Sequence, residues 1–327
     1  MMLKHYPWHQ QQWENILSAI YNNKLAHALL LKGESGLGKL EFAKALAQKL
    51  LCQQNLEQAC HQCPACHWFA QETHPDYYSI LEYKAAIKVD EIRSLLPFLQ
   101  QKSHCSTGKK VIIIALAEYM NQAAANALLK VLEEPTDNTY FILITENSSQ
   151  LKPTIKSRCQ FINFPTCHDE SILTWFMQQG YDKQTAKEAL WFMDGRPLEA
   201  IKLIEGDLQL KSYQLLAHEL QSMFQQSQYP EVIIRRWETL EPINLIKQLQ
   251  HLIALVLMYK NGTIICAENQ LSSAIMKISG DIPHLHKIYD VLLNMHQLLI
   301  TGYTLNKLLM IDSLIQVIIE IDGEDDE

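Results

Sequence analysis

No stretch of this sequence is apolar enough to cross a bilayer. The longest apolar runs, Val111–Ala117 and Leu252–Met258, fall far short of the roughly 20 residues a membrane-spanning helix needs. The opening residues Met1–Trp8 lack the apolar core of a signal peptide. A cytoplasmic chain is therefore expected, and the sequons at Asn147 and Asn261 carry no weight. Positive charge is scarce: 28 lysines and arginines face 36 acids, the net charge is −8, and no basic stripe stands out. A protein that grips nucleic acid unaided normally shows one, so any work on DNA falls to partners. Glycine and proline number only 11 each and 48% of the residues are hydrophobic, the composition of a folded globular chain. Neither an internal repeat nor a low-complexity segment is present. With no export signal, the eight cysteines point to thiols and metal ligation, not to a disulfide framework.

What is present divides in two. The 327 residues are enough for two or three small domains. In the first half, short continuous apolar runs alternate with helical stretches. Strands are expected at Ala28–Leu31, Tyr77–Leu81, Val111–Ala115, Tyr140–Thr145 and Phe161–Phe164, buried on both faces of a parallel sheet. Helices are expected at Leu37–Leu51 and at Asn121–Leu132, the latter stopped by Pro135. The sum is an α/β three-layer domain over about 1–165. Past Pro165 the strand signal ends. Short helices follow at 169–179, 183–193 and 197–205, with Gly180, Gly195 and Gly206 at their ends. From about 208, apolar residues recur three and four apart: Leu215, Leu216, Leu220, Met223 and Phe224; Leu245, Leu249, Leu252, Ile253 and Val256; Leu292, Leu293, Met295 and Leu299. Stripes of this width belong to packed bundle helices. The acid-rich stretch 320–327 reads as a solvated tail.

The first candidate site is a glycine-rich turn. The strand Ala28–Leu31 runs into Gly33-Glu34-Ser35-Gly36-Leu37-Gly38-Lys39-Leu40. A strand, a turn of this composition and a helix opening with lysine form the phosphate-loop context, in which backbone N–H groups and the helix N-terminus face an anion. Two parts of the usual magnesium site are missing. The position after the lysine needs a hydroxyl and holds Leu40. The end of strand Val111–Ile114 needs an acid and holds Ala115 and Leu116, with Glu118 lying past the strand tip. ATP is not expected to be hydrolysed, and no cofactor is expected at Gly33, Gly36, Gly38, Lys39 and Leu40.

Three segments carry a family resemblance. They are Asn121-Gln122-Ala123-Ala124-Ala125-Asn126-Ala127-Leu128-Leu129-Lys130-Val131-Leu132-Glu133-Glu134-Pro135, the run Leu151-Lys152-Pro153-Thr154-Ile155-Lys156-Ser157-Arg158-Cys159-Gln160, and Cys60-His61-Gln62-Cys63-Pro64-Ala65-Cys66 with Cys52 before it and His74-Pro75-Asp76 after it. In this order they resemble the bacterial DNA polymerase III clamp-loader subunits, the gamma/tau ATPase and its delta-prime relative, over roughly residues 5–165. The resemblance implies a AAA+ core at 1–165 with a zinc module at about 52–70, a helical lid at 166–207 and a helical collar for oligomerisation at 208–327. It implies a ring with delta and gamma/tau that opens a sliding clamp with ATP and leaves it on primed DNA. Leu40, Ala115 and Leu116 put the chain with the degenerate delta-prime branch. So does Leu198, which stands where the gamma/tau lid has an arginine, Arg196 being out of register. Lys39 is retained, which departs from some members of that branch. The Ser157-Arg158-Cys159 motif implies an arginine finger: Arg158 would act on a neighbouring subunit's ATP, since its planar, permanent charge suits a γ-phosphate.

Cys60, Cys63 and Cys66 follow one another with two residues between neighbours, and Cys52 ends the preceding helix. Four thiolates can close a tetrahedral zinc site with no open position, hence a structural one. Scattered buried thiols and an iron–sulfur cluster are the alternatives. The spacing from Cys52 to Cys60 varies in the family, which makes Cys52 the least secure of the four. His61 and His67 read as surface residues, and Cys105, Cys159, Cys167 and Cys266 as buried or incidental. The function expected is a non-catalytic, stator-like subunit of an ATP-driven assembly. The competing readings are a stand-alone P-loop ATPase and a zinc-containing nucleic-acid-binding protein.

Overall fold

Five short runs, three of them (β1, β3 and β4) rich in isoleucine, leucine and valine, form the strands of one sheet: β1 (Ala28–Lys32), β2 (Tyr77–Ile80), β3 (Lys110–Ile114), β4 (Thr139–Thr145) and β5 (Gln160–Asn163). The structure is a computed structural model; it describes residues 6–54, 57–81, 86–167, 169–225, 230–262, 270–278, 280–300 and 306–319. Cys266 and the acid-rich stretch 320–327 lie outside the described residues. Two compact units are present, one of residues 1–183 with 192–200 and one of 184–191 with 201–327.

In the first unit the strands pair in the order β2-β3-β4-β1-β5, and every pair is parallel, with Leu30 opposite both Leu143 and Phe161 and Ile112 opposite Phe141. Parallel neighbours need crossover connections. These are supplied by α2 (Lys39–Leu51) and α3 (Pro64–Ala70), then α4 (Val89–Arg93) and α5 (Leu95–Gln100), then α6 (Gln122–Glu133), then α7 (Pro153–Lys156), all preceded by α1 (Gln10–Tyr21). Alternate strand residues face opposite sides. Leu30, Ile112, Ile114, Phe141 and Leu143 share one core with Ile92, Leu95, Leu99, Ala124, Leu128, Leu132 and Ile155 from α4 to α7. On the other side α2 packs against β3 and β4, and its Phe42 ring meets Trp13 of α1 at 5.5 Å. The helix after the glycine turn begins at Lys39 and not at Leu37, because Gly38 is left-handed at φ 80°. Asn121 caps α6 by accepting the Ala124 N–H at 2.8 Å, a standard N-cap bond.

Two of the five strands differ from the expected burial on both faces. In β5 only Ile162 is buried, and Phe161 is 48% exposed; in β2 only Ile80 is buried. Both are edge strands, where one flank has no neighbour.

After β5 come α8 (Glu170–Gln178), α9 (Lys183–Phe192) and α10 (Pro197–Glu205). The second unit is helical, with α11 (Asp207–Phe224), α12 (Pro230–Trp237), α13 (Pro242–Lys260), α14 (Gln270–Met276), α15 (Ile282–Ile300) and α16 (Lys307–Ile319). α13 packs along α15, and α11 against α14. Leu216, Leu220, Leu249, Leu252, Val256, Leu285, Leu292 and Leu314 are buried. Leu215 and Leu293, expected in these stripes, are 49% and 39% exposed: each sits beside a buried stripe residue, a rotation of about 100° away on a helix. The buried Trp237 donates its indole N–H to Glu219 at 2.8 Å, and Arg236 pairs with the same carboxylate. Among the described residues no helix is long and apolar enough to cross a membrane.

Candidate functional site

The glycine-rich turn lies at the carboxyl end of β1, the edge at which open α/β sheets bind ligands. In this chain the turn is occupied by the chain's own groups. The Lys39 side chain folds back and donates to the Glu34 carbonyl, leaving the residue 5% exposed. Burial lowers the Lys39 ammonium, opposed by the negative charge of Glu146, Glu118, Glu34 and Glu41. Gly36 is left-handed at φ 78°, and a Cβ there would come within 2.4 Å of Glu199 Cγ. The Leu198 N–H donates to the Gly36 carbonyl at 3.0 Å, Ser35 Oγ donates to Glu199 Oε1 at 3.1 Å, and Arg196 Nε lies 3.7 Å from Glu34 Oε2. On the other flank the Trp8 indole N–H donates to the Leu37 carbonyl at 3.0 Å, and the same oxygen lies 2.7 Å from His9 Nε2.

At the positions where a phosphate loop usually holds magnesium, the side chains carry no oxygen. Leu40 opens α2 beside Lys39, and Ala115 and Leu116 leave the end of β3, with Leu116 in the left-handed region at φ 52°. Glu118 sits in the 3-10 turn Ala117–Tyr119. Its Oε1 accepts the N–H groups of Glu146 at 2.8 Å and Asn147 at 3.1 Å, so it pins the segment after β4.

Cys52, Cys60, Cys63 and Cys66 come together, with all four sulfurs within 4.8 Å of one another. The Cys52–Cys63 and Cys60–Cys66 sulfurs are 4.0 and 3.9 Å apart. Four sulfurs placed about 2.3 Å from a tetrahedral ion lie roughly 3.8 Å from each other, so the group fits such an ion. Backbone N–H groups point at the sulfurs, from Gln54 and Cys60 to Cys52 at 3.4 Å each and from Cys63 to Cys60 at 3.3 Å. Burial would raise the Cys60 thiol, but the N–H groups of Gln62 and Cys63 outweigh it and bring it to about 6. Burial raises Cys52 and Cys66, the cost a bound cation would offset. His61 and His67 are not in the group.

Sequence reasoning missed a second cluster. His74, Asp76 and Cys105 are all buried, with donor atoms within 4.8 Å of one another. The Asp76 carboxylate accepts from His104 N at 2.8 Å, Cys105 N at 2.8 Å and Ser103 Oγ at 3.0 Å. Burial would raise it, but these bonds prevail and hold it below its ordinary range. His74 Nδ1 accepts the Asp76 N–H at 3.0 Å, which in the neutral ring leaves the proton on Nε2, 3.6 Å from Cys105 Sγ. Burial pushes the Cys105 thiol to about 11. With the Asp76 carboxylate taken up by these three bonds, the cluster locks the segment before β3 onto the start of β2. Only the parallel register, which sets Tyr77 opposite Val111, brings these residues together. The His74-Pro75-Asp76 run was its one signal in the sequence. Cys105, expected to be buried or incidental, is part of this lock.

Arg158 follows α7, whose first residue is Pro153. Its Nη1 donates to the Thr154 carbonyl at 3.0 Å and lies 3.4 Å from Ser157 Oγ. Its Nη2 pairs with Glu133 Oε1 at 2.5 Å, and the arginine side chain is 35% exposed. Glu133 was not singled out from the sequence.

Residues 8–168 match the family model described as DNA polymerase III, delta subunit. Among curated proteins, the DNA polymerase III subunit delta' of Pseudomonas aeruginosa is 40% identical over 204 residues, 61% of this chain and 61% of its own. That of Haemophilus influenzae is 36% identical over 202 residues, 61% of this chain and 62% of its own. The matched stretch thus spans less than two thirds of the length of these relatives. Among solved structures, a gamma-subunit-related DNA polymerase III protein of Thermotoga maritima is 19% identical with a TM-score of 0.48, over 94% of this chain and 99% of its own.

Proposed function

From residues 8–168, which match the family model described as DNA polymerase III, delta subunit, we infer that this chain works as a delta-prime-type subunit of a cytoplasmic clamp loader that hydrolyses no ATP itself. The observation that carries this is the turn at Gly33–Lys39: its lysine bonds to its own loop, and Leu40, Ala115 and Leu116 offer magnesium no oxygen. Such a subunit works through partners, namely gamma/tau and delta, and through the assembled complex it serves the sliding clamp and primed DNA. The scarcity of positive charge, net −8, agrees with DNA being gripped by the assembly and not by this chain alone. In this account residues 1–165 form a AAA+ core, 166–207 a lid and 208–327 a collar. Cys52, Cys60, Cys63 and Cys66 hold a structural zinc ion, supported by their sulfur spacings and by the N–H groups aimed at them. Arg158 reaches a neighbour's ATP as an arginine finger, supported by its partial exposure beside α7.

The purified chain is expected to show no magnesium-dependent ATP turnover above a contaminant-controlled blank. Leu40→Thr is expected to stay inactive, because a hydroxyl at 40 restores one magnesium ligand while the end of β3 still lacks its acid. Steady-state turnover by the unmodified chain would remove the proposal.

A further inference from the structure

Glu133 is badly placed for the helix it ends. A carboxylate in the last turn of α6 opposes the helix dipole, whose C-terminus favours cations. Its ion pair with Arg158 is half exposed, at 50% and 35% for the two side chains, and pairs of this kind add little to stability. What the pair fixes is orientation. Leu132, next to Glu133, and Ile155 and Cys159, on either side of the arginine, belong to the same buried core, so both backbones are anchored together. The Arg158 N–H donates to the Ile155 carbonyl at 3.1 Å. Of the five guanidinium N–H groups, Nη1 is held by Thr154 and Ser157 and one on Nη2 by Glu133. The Nε N–H and one Nη2 N–H have no acceptor among the described residues, and N–H groups left over on a planar guanidinium are suited to phosphate oxygens.

We propose that Glu133 is a positioning residue, holding the Arg158 guanidinium in the orientation in which its remaining N–H groups meet a neighbouring subunit's nucleotide. This rests on the finger role proposed above. The test uses the complex reconstituted from the full chain with gamma/tau and delta. Glu133→Ala is expected to reproduce most of the loss that Arg158→Ala causes in stimulated kcat and in clamp loading, with the KM for ATP unchanged. Glu133→Asp, which keeps the charge, restores most of it. The double variant Glu133→Ala with Arg158→Ala falls no further than Arg158→Ala alone, the non-additivity of residues acting as one unit. Should the alanine variant fail to assemble, Glu133→Gln, of the same size, gives the same reading. Normal loading by the Glu133 variants while Arg158→Ala is impaired overturns the positioning role and leaves the finger standing; so do losses that add in the double variant. If Arg158→Ala itself loads normally, the finger role fails, and the role of Glu133 with it.

Discussion

The parent protein is expected to carry one zinc ion per chain, and replacing Cys63 by serine is expected to leave it without zinc. Serine oxygen is a poor substitute for a thiolate in a four-sulfur site, and the three remaining sulfurs lose the tetrahedral closure that makes the site structural. The local cost is large because little else holds this segment. Its sulfurs sit in a small cluster of Cys52, Ala59, Cys63, Ala65, Cys66 and Cys105, Phe69 being the one large apolar side chain buried nearby in α3, and small modules of this kind depend on their metal. A structural zinc ion supplies on the order of 10–16 kcal/mol in small peptides at neutral pH, more than such a core can replace. The damage stays local. The residues of the sheet core form a separate cluster that shares none of these six. Elemental analysis checks the first part and limited proteolysis the second, with new cleavage expected between residues 52 and 70 and the sheet persisting by circular dichroism. Full zinc content in the serine variant, or an iron chromophore in the parent, contradicts the assignment.

Arg158→Ala is expected to cripple clamp loading by a complex that still assembles. A finger of this kind is worth about 10³–10⁵ in rate at the site it serves, so that site falls silent. Sites that other subunits complete would keep turning, so steady-state ATP turnover is expected to fall only in part. Loading suffers more than turnover if opening and release require every site. Assembly is expected to persist because the side chain is partly exposed and its ion pair with Glu133 is at the surface. Clamp loading on primed DNA, measured beside the ATPase rate, separates the two effects. Unimpaired loading by the assembled mutant complex refutes the role.

How far the sequence carried these conclusions varied from element to element. β1, β3 and β4 were readable because strands buried on both faces must be continuously apolar, and Leu29–Leu31, Val111–Ile114 and Phe141–Ile144 are. β5 was placed correctly but its burial was not, since edge position depends on sheet order, which no local run encodes. The four cysteines were readable from spacing because α2, the turn after it and α3 bring near neighbours in sequence together. The lock of His74, Asp76 and Cys105 was not: it joins segments 27–31 residues apart through the register of β2 on β3. The same holds for the pairing of Glu133 with Arg158, which comes from the packing of α6 against α7. At the glycine turn, the missing hydroxyl at Leu40 could be read directly. The docking of Leu198 and Glu199 onto Gly36 could not, because it brings together residues more than 160 positions apart.

Reconstitution tests the central claim most directly. The purified full chain is mixed with gamma/tau and delta, and the mixture is examined by native mass spectrometry. The account predicts a single stable complex containing this chain, with no such complex when the chain is omitted. A chain that stays free while gamma/tau and delta associate without it would contradict the assignment.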